Sequence, residues 1–304
     1  MPLNGFLVVD KPQGVTSFDV VRTIRRAFKV RRVGHCGTLD PMATGVLPVA
    51  IGEATRLVEF VMDGEKVYRG TLKLGETTDT QDADGTILRC TAIDGIDRAQ
   101  IEAAIATLLG PIQQMPPMYS ALKRDGVPLY ELARKGIEVE RALRSIEIYR
   151  FALCLVELPF ITFEVTCSKG TYVRTLAHDL GARLGCGAHL TALRRLKSGA
   201  FSEGEAIPLD RLRCEPETVQ FLPVSAALAA LPVLDLSTEA LVRLKNGVPP
   251  QQSEIITMQP FPTAGSLVTL CRDRQLVAVA RFEPERQNEA RGDFVLLRVF
   301  PFNA

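Results

Sequence analysis

The sequence predicts an α+β protein of two domains, and three observations carry that reading. The chain has 304 residues, 46% of them hydrophobic and 23% charged, enough for sizeable cores and a length that fits two domains. Strand-like stretches recur between amphipathic helical ones. In Lys66–Leu74, for example, Val67, Arg69, Thr71 and Lys73 alternate with Tyr68, Gly70, Leu72 and Leu74. Past Phe201 the composition shifts to Pro208, Pro216, Pro223 and an alanine-rich stretch, with short strands expected from Leu267 to Val299.

Composition narrows the function classes. Met1 to Asp10 has no basic segment leading into an apolar one, so no secretory signal is expected. The run Val224 to Leu234 is broken by Pro232 and too short to span a bilayer. Seven cysteines lie scattered without a CxxC pair, which indicates neither a zinc site nor a disulfide framework and suits a cytoplasmic protein with free thiols. Net charge is only +1, yet its distribution is uneven. Arg22, Arg25, Arg26, Lys29, Arg31 and Arg32 form one run without an acid. Lys169, Arg174, Arg183, Arg194, Arg195 and Lys197 form a second, broken only by Asp179. Together such faces suit a polyanionic partner, although each cluster alone reads rather as a solvated helix face.

Taken in order, Gly5 to Val9 reads as a buried strand ended by the turn Asp10 to Gly14. Ser17 reads as the N-cap of a helix with Asp19 in its first turn and Phe18, Val21, Ile24 and Phe28 on one apolar face. Gly34 to Pro41 then forms a glycine-rich loop that enters an apolar strand through Ile51. Pro41 restricts Asp40 to extended geometry, which fixes its carboxylate at a strand entrance; a plain Asp-Pro turn has the same signature. Glu53 to Val61 reads as a short helix. Glu76 to Gly85 is acidic but lacks the calcium-loop order, and is expected to be a hydrogen-bonded turn. Asp97 caps a helix through Leu108 that Gly110-Pro111 stops. Residues 113–144 mix prolines, glycines and both charges around a short helix, Leu129 to Lys135. Two strands, Ile146–Glu157 and Pro159–Ser168, lead to a helix with Val173, Leu176, Ala177, Leu180 and Leu184 buried. That puts Tyr172 and Arg174 at its mouth. Ser237 to Lys245 reads as one more capped helix.

Six segments are more than punctuation: Lys11 to Ser17, Gly34 to Pro48, Leu74 to Gly85, Pro117 to Lys123, Cys167 to Leu176 and Cys186 to Leu196. In order and spacing they resemble the bacterial tRNA pseudouridine-55 synthases of the TruB type, over nearly the whole chain. The resemblance implies a mixed, largely antiparallel catalytic sheet with flanking helices over residues 1–231, an RNA-clamping insertion at about 113–144, and a small β-rich, PUA-like RNA-binding module over 232–304. It implies isomerisation of uridine 55 in the T-loop of tRNA, by a monomer without cofactor or metal and away from membranes. Asp40 would be the essential carboxylate, Tyr68 the stacking platform for the flipped base, Arg174 the partner of Asp40, and Tyr172 and Leu193 the pocket walls. His35 would contact the flipped or flanking nucleotides, and Lys11 would support the loop or contact phosphate. Read without the resemblance, Tyr68 is as well a core residue, His35 a structural one and Lys11 part of a turn. A binding module that has lost catalysis, a hydrolase using Asp40, and a merely stabilising C-terminal part are the alternatives. Cys36 stands where the motif commonly has threonine, which removes a hydroxyl from the loop.

Overall fold

Capping and side-chain patterning explain where most elements begin and end. The computed structural model describes residues 3–257, 260–285 and 292–301. Its first strand, β1 (Gly5–Lys11), is apolar and buried along almost its whole length. The helix α1 (Ser17–Ala27) is capped by Thr16, whose hydroxyl accepts from the Asp19 N–H while the Asp19 carboxylate accepts from the Thr16 N–H. The cap thus precedes the expected Ser17 by one residue. Ser17 turns inward instead, its hydroxyl bonded to both backbone groups of Leu39. The buried stripe is therefore Ser17, Val20, Val21 and Ile24, and Phe18, expected inside, is 60% exposed.

Two strands flank the glycine-rich loop, β2 (Val33–His35) and β3 (Thr44–Ile51), which is apolar and buried after Thr44. The expected helix after it is split into a 3-10 turn over Gly52–Leu57 and α2 (Val58–Asp63). The strand β4 (Lys66–Leu74) alternates as its sequence says. A ribbon of β5 (Glu76–Thr78) and β6 (Ile87–Cys90) brackets the acidic turn. Asp97 caps α3 (Arg98–Ala106), and Gly110, at φ 80°, turns the chain into β7 (Gly110–Gln114). The insertion holds a small ribbon of β8 (Lys123–Arg124) and β9 (Val127–Pro128), then α4 (Leu129–Arg134). The chain returns as β10 (Arg144–Glu157) and β11 (Phe160–Cys167), continues through α5 (Val173–Arg183) into β12 (Ala188–Ser198), and finishes this part with β13 (Phe201–Ser202), β14 (Ala206–Pro208) and α6 (Leu209–Cys214).

The main sheet runs β14–β1–β3–β12–β4–β11–β10–β7, antiparallel except at β1–β14 and β3–β12. The expected mixed, largely antiparallel α+β architecture is what forms. One face carries α1, α3, α5 and α6 over a core that includes Ile24, Leu72, Ile105, Phe163, Leu180 and Leu212. A second sheet, β15 (Val233–Asp235), β16 (Leu267–Arg272), β17 (Gln275–Phe282) and β18 (Phe294–Val299), packs with α7 (Thr238–Lys245) around its own core, which makes the C-terminal part β-rich. Residues 258–259, 286–291 and 302–304 of the expected C-terminal module lie outside the described residues. Among the described residues no helix is long and apolar enough to cross a membrane.

Candidate active site

The loop that carries Asp40 leaves the sheet where β12 meets β3, with Arg194 and Arg195 opposite Thr44 and Gly45. Arg195 is 1% exposed and spends its guanidinium on three carbonyls: Nε donates to Val46 at 2.7 Å, Nη1 to Thr38 at 3.4 Å and Nη2 to Gly37 at 3.1 Å. A planar fork of fixed donors suits that task better than a point charge. Gly45 has to be glycine here: its φ is +95°, and a Cβ would lie 2.3 Å from the Arg195 carbonyl oxygen. On the other side of Asp40, the buried Lys11 ammonium donates to the carbonyls of Pro12 at 3.0 Å, Val15 at 2.6 Å and Pro41 at 3.3 Å. Burial brings that ammonium down to about 8, although the nearby Asp40 charge pulls the other way. Arg195, Lys11 and Ser17 thus grip the backbone on both sides of Asp40. Cys36 lies in an apolar core, where burial pushes its thiol up to about 12. It packs as a small hydrophobic group and is a poor nucleophile there.

Arg174 is the second residue of α5, two positions after the N-cap residue Tyr172. Tyr172 has no side-chain cap of its own; Gln114 brackets its backbone, accepting from its N–H at 2.8 Å and donating to its carbonyl at 3.1 Å. The Arg174 side chain is 6% exposed and lies between two carboxylates, Nη2 to Asp40 Oδ1 at 3.3 Å and Nη1 to Asp82 Oδ2 at 3.2 Å. Nη2 also donates to the carbonyl of Tyr119 in the insertion. Asp82 is itself held, by the Thr80 hydroxyl at 2.6 Å and the Asp84 N–H at 3.2 Å. The acidic turn, expected only as a hydrogen-bonded connection, therefore delivers a second carboxylate under Arg174. Asp40 keeps 34% of its side-chain surface open. Burial pushes its carboxyl above the usual carboxylate range; Arg174 opposes this, and Asp82 adds to it.

The remaining expected residues surround this pair. Tyr68, 8% exposed, lies opposite Arg195 on one side and Val165 on the other. Tyr172 is half-buried. Burial raises both phenols, and the Asp40 charge adds to the shift at each, so both rings share its surroundings. Leu193 is partly buried in β12 opposite Gly70, its carbonyl accepting from the Thr44 hydroxyl at 3.4 Å. His35 lies in β2 opposite Val49; burial and Arg195 lower its pKa, which favours the neutral ring, and its Nδ1 is buried without a partner. Lys11 is on backbone carbonyls and points at no surface. The second basic run of the sequence is divided: Arg174 and Arg195 are buried, Arg194 is paired with Asp10 and Glu203, and Lys169 with Asp63, while Arg183 and Lys197 are exposed. Sequence reasoning missed Asp82 and the anchoring role of Arg195. Neither stands out from its neighbours by residue type. Among the described residues no cluster of His, Cys, Asp and Glu is arranged to hold a metal.

The site belongs to a chain with clear relatives. A model of the TruB family pseudouridylate synthase N-terminal domain matches residues 25–173, and one of the tRNA pseudouridylate synthase B C-terminal domain matches residues 174–220. The tRNA pseudouridine synthase B of Syntrophotalea carbinolica is 50% identical over 301 residues, 98% of each chain. That of Geobacter sulfurreducens is 45% identical over 304 residues, 98% of this chain and 100% of the other. Among solved structures, a Cbf5-Nop10-Gar1 complex contains a chain that matches with a TM-score of 0.74 at 26% identity, over 97% of this chain and 84% of that one. With identity this high over nearly the full length, the chain belongs to the TruB family of pseudouridylate synthases.

Proposed function

We propose that the protein converts uridine 55 in the T-loop of tRNA to pseudouridine, with Asp40 as the essential carboxylate. The observation that carries this reading is Asp40 itself: an accessible carboxylate in an otherwise buried recess, held by an arginine that a second carboxylate holds in turn. The names of the relatives supply the substrate class, tRNA.

The reaction breaks the N1–C1′ bond, turns the uracil and joins C5 to C1′. One proton leaves C5 and one is gained at N1, so the sum is an isomerisation that requires no redox partner. The target base has to leave its stack to be reached. Tyr68 and Tyr172 would flank it, with Tyr68 as the stacking platform and Leu193 as apolar wall. Asp40 acts in its ionised form on the target nucleoside. Arg174 keeps that form accessible and fixes its orientation against burial, and Asp82 fixes Arg174. Neutral His35 lines the approach. The insertion, 113–144, would close over the RNA, and the Tyr119 carbonyl on Arg174 links that closure to the site. Residues 1–231 would form the catalytic domain and 232–304 a PUA-like RNA-binding module. The protein would act as a cytoplasmic monomer.

The test uses unmodified tRNA transcript tritiated at uridine C5, with the native protein and Asp40→Asn. One tritium released per tRNA by the native protein alone, lost when uridine 55 is replaced, is the expected result. Binding without release would leave only an RNA-binding module. Free uracil that still carries its tritium would mean a hydrolase, and tritium release by both proteins would remove Asp40 from the chemistry.

A further inference from the structure

We propose that the groove between α1 and α6 is a second RNA contact, which binds the phosphodiester backbone of the substrate outside the loop that holds the target base. This rests on the reading of the protein as a tRNA-modifying enzyme. The groove has a volume of about 550 Å³ and is lined by Gly14, Val15, Arg22, Thr23, Arg26 and Arg213, together with Asp19. Three guanidinium groups from two elements thus face one recess. The acid among them, Asp19, accepts from the N–H and hydroxyl of Thr16 and pairs with Arg22, which leaves Arg26 and Arg213 as the groove's cations for a phosphate. Arg213 pairs at 3.3 Å with Asp210, but both side chains are mostly exposed, at 51% and 87%, so water weakens that pair and a phosphate can displace it. Arg26 has no carboxylate partner among the described residues. Lys29 and Arg31, both exposed, extend the positive surface past the end of the helix.

Phe18 points to what occupies this surface. It is 60% exposed, and its position one helical turn before Arg22 puts an open ring next to the guanidinium row. Packing does not account for it, because the buried stripe of α1 consists of other residues. Arginines that neutralise phosphates beside an aromatic face that accepts a base or ribose form the surface of a nucleic-acid site. An acidic protein segment would use the charges and leave the ring idle.

The groove is also tied to the chemistry. The Gly14 N–H donates to the Pro41 carbonyl at 2.8 Å, Lys11 joins Val15 to Pro41, and Ser17 joins the first residue of α1 to Leu39. RNA held in this groove is therefore held relative to the loop that carries Asp40. The groove would set where the strand lies, and the pocket would select the base.

The test compares the native protein with Arg26→Gln/Arg213→Gln, with Phe18→Ala, and with Arg98→Gln on α3 as a single-charge control outside the groove. Binding of whole tRNA is titrated from about 0.05 to 0.2 M salt, with tritium-release kinetics in parallel. The double variant is expected to bind about tenfold more weakly and to make the slope of log Kd against log salt shallower by about 2. Phe18→Ala is expected to weaken binding with no change of salt slope. In both, KM rises and turnover at saturating tRNA persists, while the control matches the native protein. If the double variant matches the control in affinity and slope, the proposal is overturned, whatever other partner the groove has. A native protein that binds tRNA but releases no tritium defeats the catalytic reading alone; a lowered slope in the variant would then still assign the groove to RNA.

Discussion

At Asp40, burial and Arg174 act in opposite directions. Burial is the larger influence, so the carboxyl of the free protein titrates above the value of about 3.9 for an unperturbed aspartate. The form that acts is ionised, and kcat/KM should therefore rise with pH along an acid limb whose midpoint lies above that value. Arg174 is the first influence holding the midpoint down. Arg174→Gln removes that cation and leaves the like charges of Asp40 and Asp82 facing each other, so the limb should move further toward high pH. Tritium-release kinetics from about pH 5 to 9 measure both limbs. A variant whose rate falls by the same factor at every pH would mean that Arg174 only positions the loop. Stability has the opposite sign. The folded chain holds the Asp40 proton more tightly than the unfolded chain, so between the two pKa values the stability contributed at this residue falls as pH rises. The carboxylate is kept for its chemistry.

At the scale of elements, the loop is organised less by its own sequence than by β12. The Arg195 guanidinium bonds to Gly37, Thr38 and Val46 across the point where β12 runs beside β3. Arg195→Met should leave three carbonyls without a donor, at roughly 1–3 kcal/mol for each group that stays buried, and so destabilise the fold by about 3 kcal/mol or more. Arg195→Lys should recover only part of this, since one ammonium cannot span three separated acceptors. Urea unfolding measures both; a midpoint shift under a third of that size for Met would mean that water reaches those carbonyls. The same region shows where sequence reading stops. The alternation in Lys66–Leu74, the Asp97 cap and the start of α5 follow local rules, and they were legible. Arg195 was not, because β12 slips register on both sides of it, between Leu190 and Ala192 and between Arg195 and Lys197, which breaks the alternation that marks a buried position. Phe18 was misplaced because an inward-facing Ser17 rotates α1 by its polar bonds, against the apolar pattern. Asp82 is one of three aspartates in a short turn, and only the fold distinguishes it. The pairing of Asp40 with Arg174, 134 residues apart, was expected from the family motif, since nothing local to either residue encodes it.

Across the whole molecule, the two sheets meet through an apolar core of their own. Phe6, Val46, Leu57 and Val61 from the first part pack with Val279 and Phe300 from the last. Arg56 lies over the Phe300 ring, 5.3 Å from its centroid. The Arg298–Glu59 ion pair also crosses the junction, at 2.8 Å, but its side chains are 39% and 52% exposed, so it contributes little beside the buried ring. Coupling should therefore depend on Phe300. The native chain should unfold in one cooperative transition that both sheets share. Phe300→Ala, which empties a site only 5% exposed, should cost about 3–5 kcal/mol if the cavity does not collapse, and should lower that shared midpoint. Cys36, four residues before Asp40, lies in the same core. A loosened junction should thus reach the catalytic loop, with turnover falling at temperatures where the variant is still folded. Scanning calorimetry and tritium release on the same samples test both expectations. Two separate transitions in the native chain, or a Phe300→Ala variant that melts early only in its C-terminal sheet with turnover intact, would mean that the small sheet is carried by the catalytic part without stabilising it.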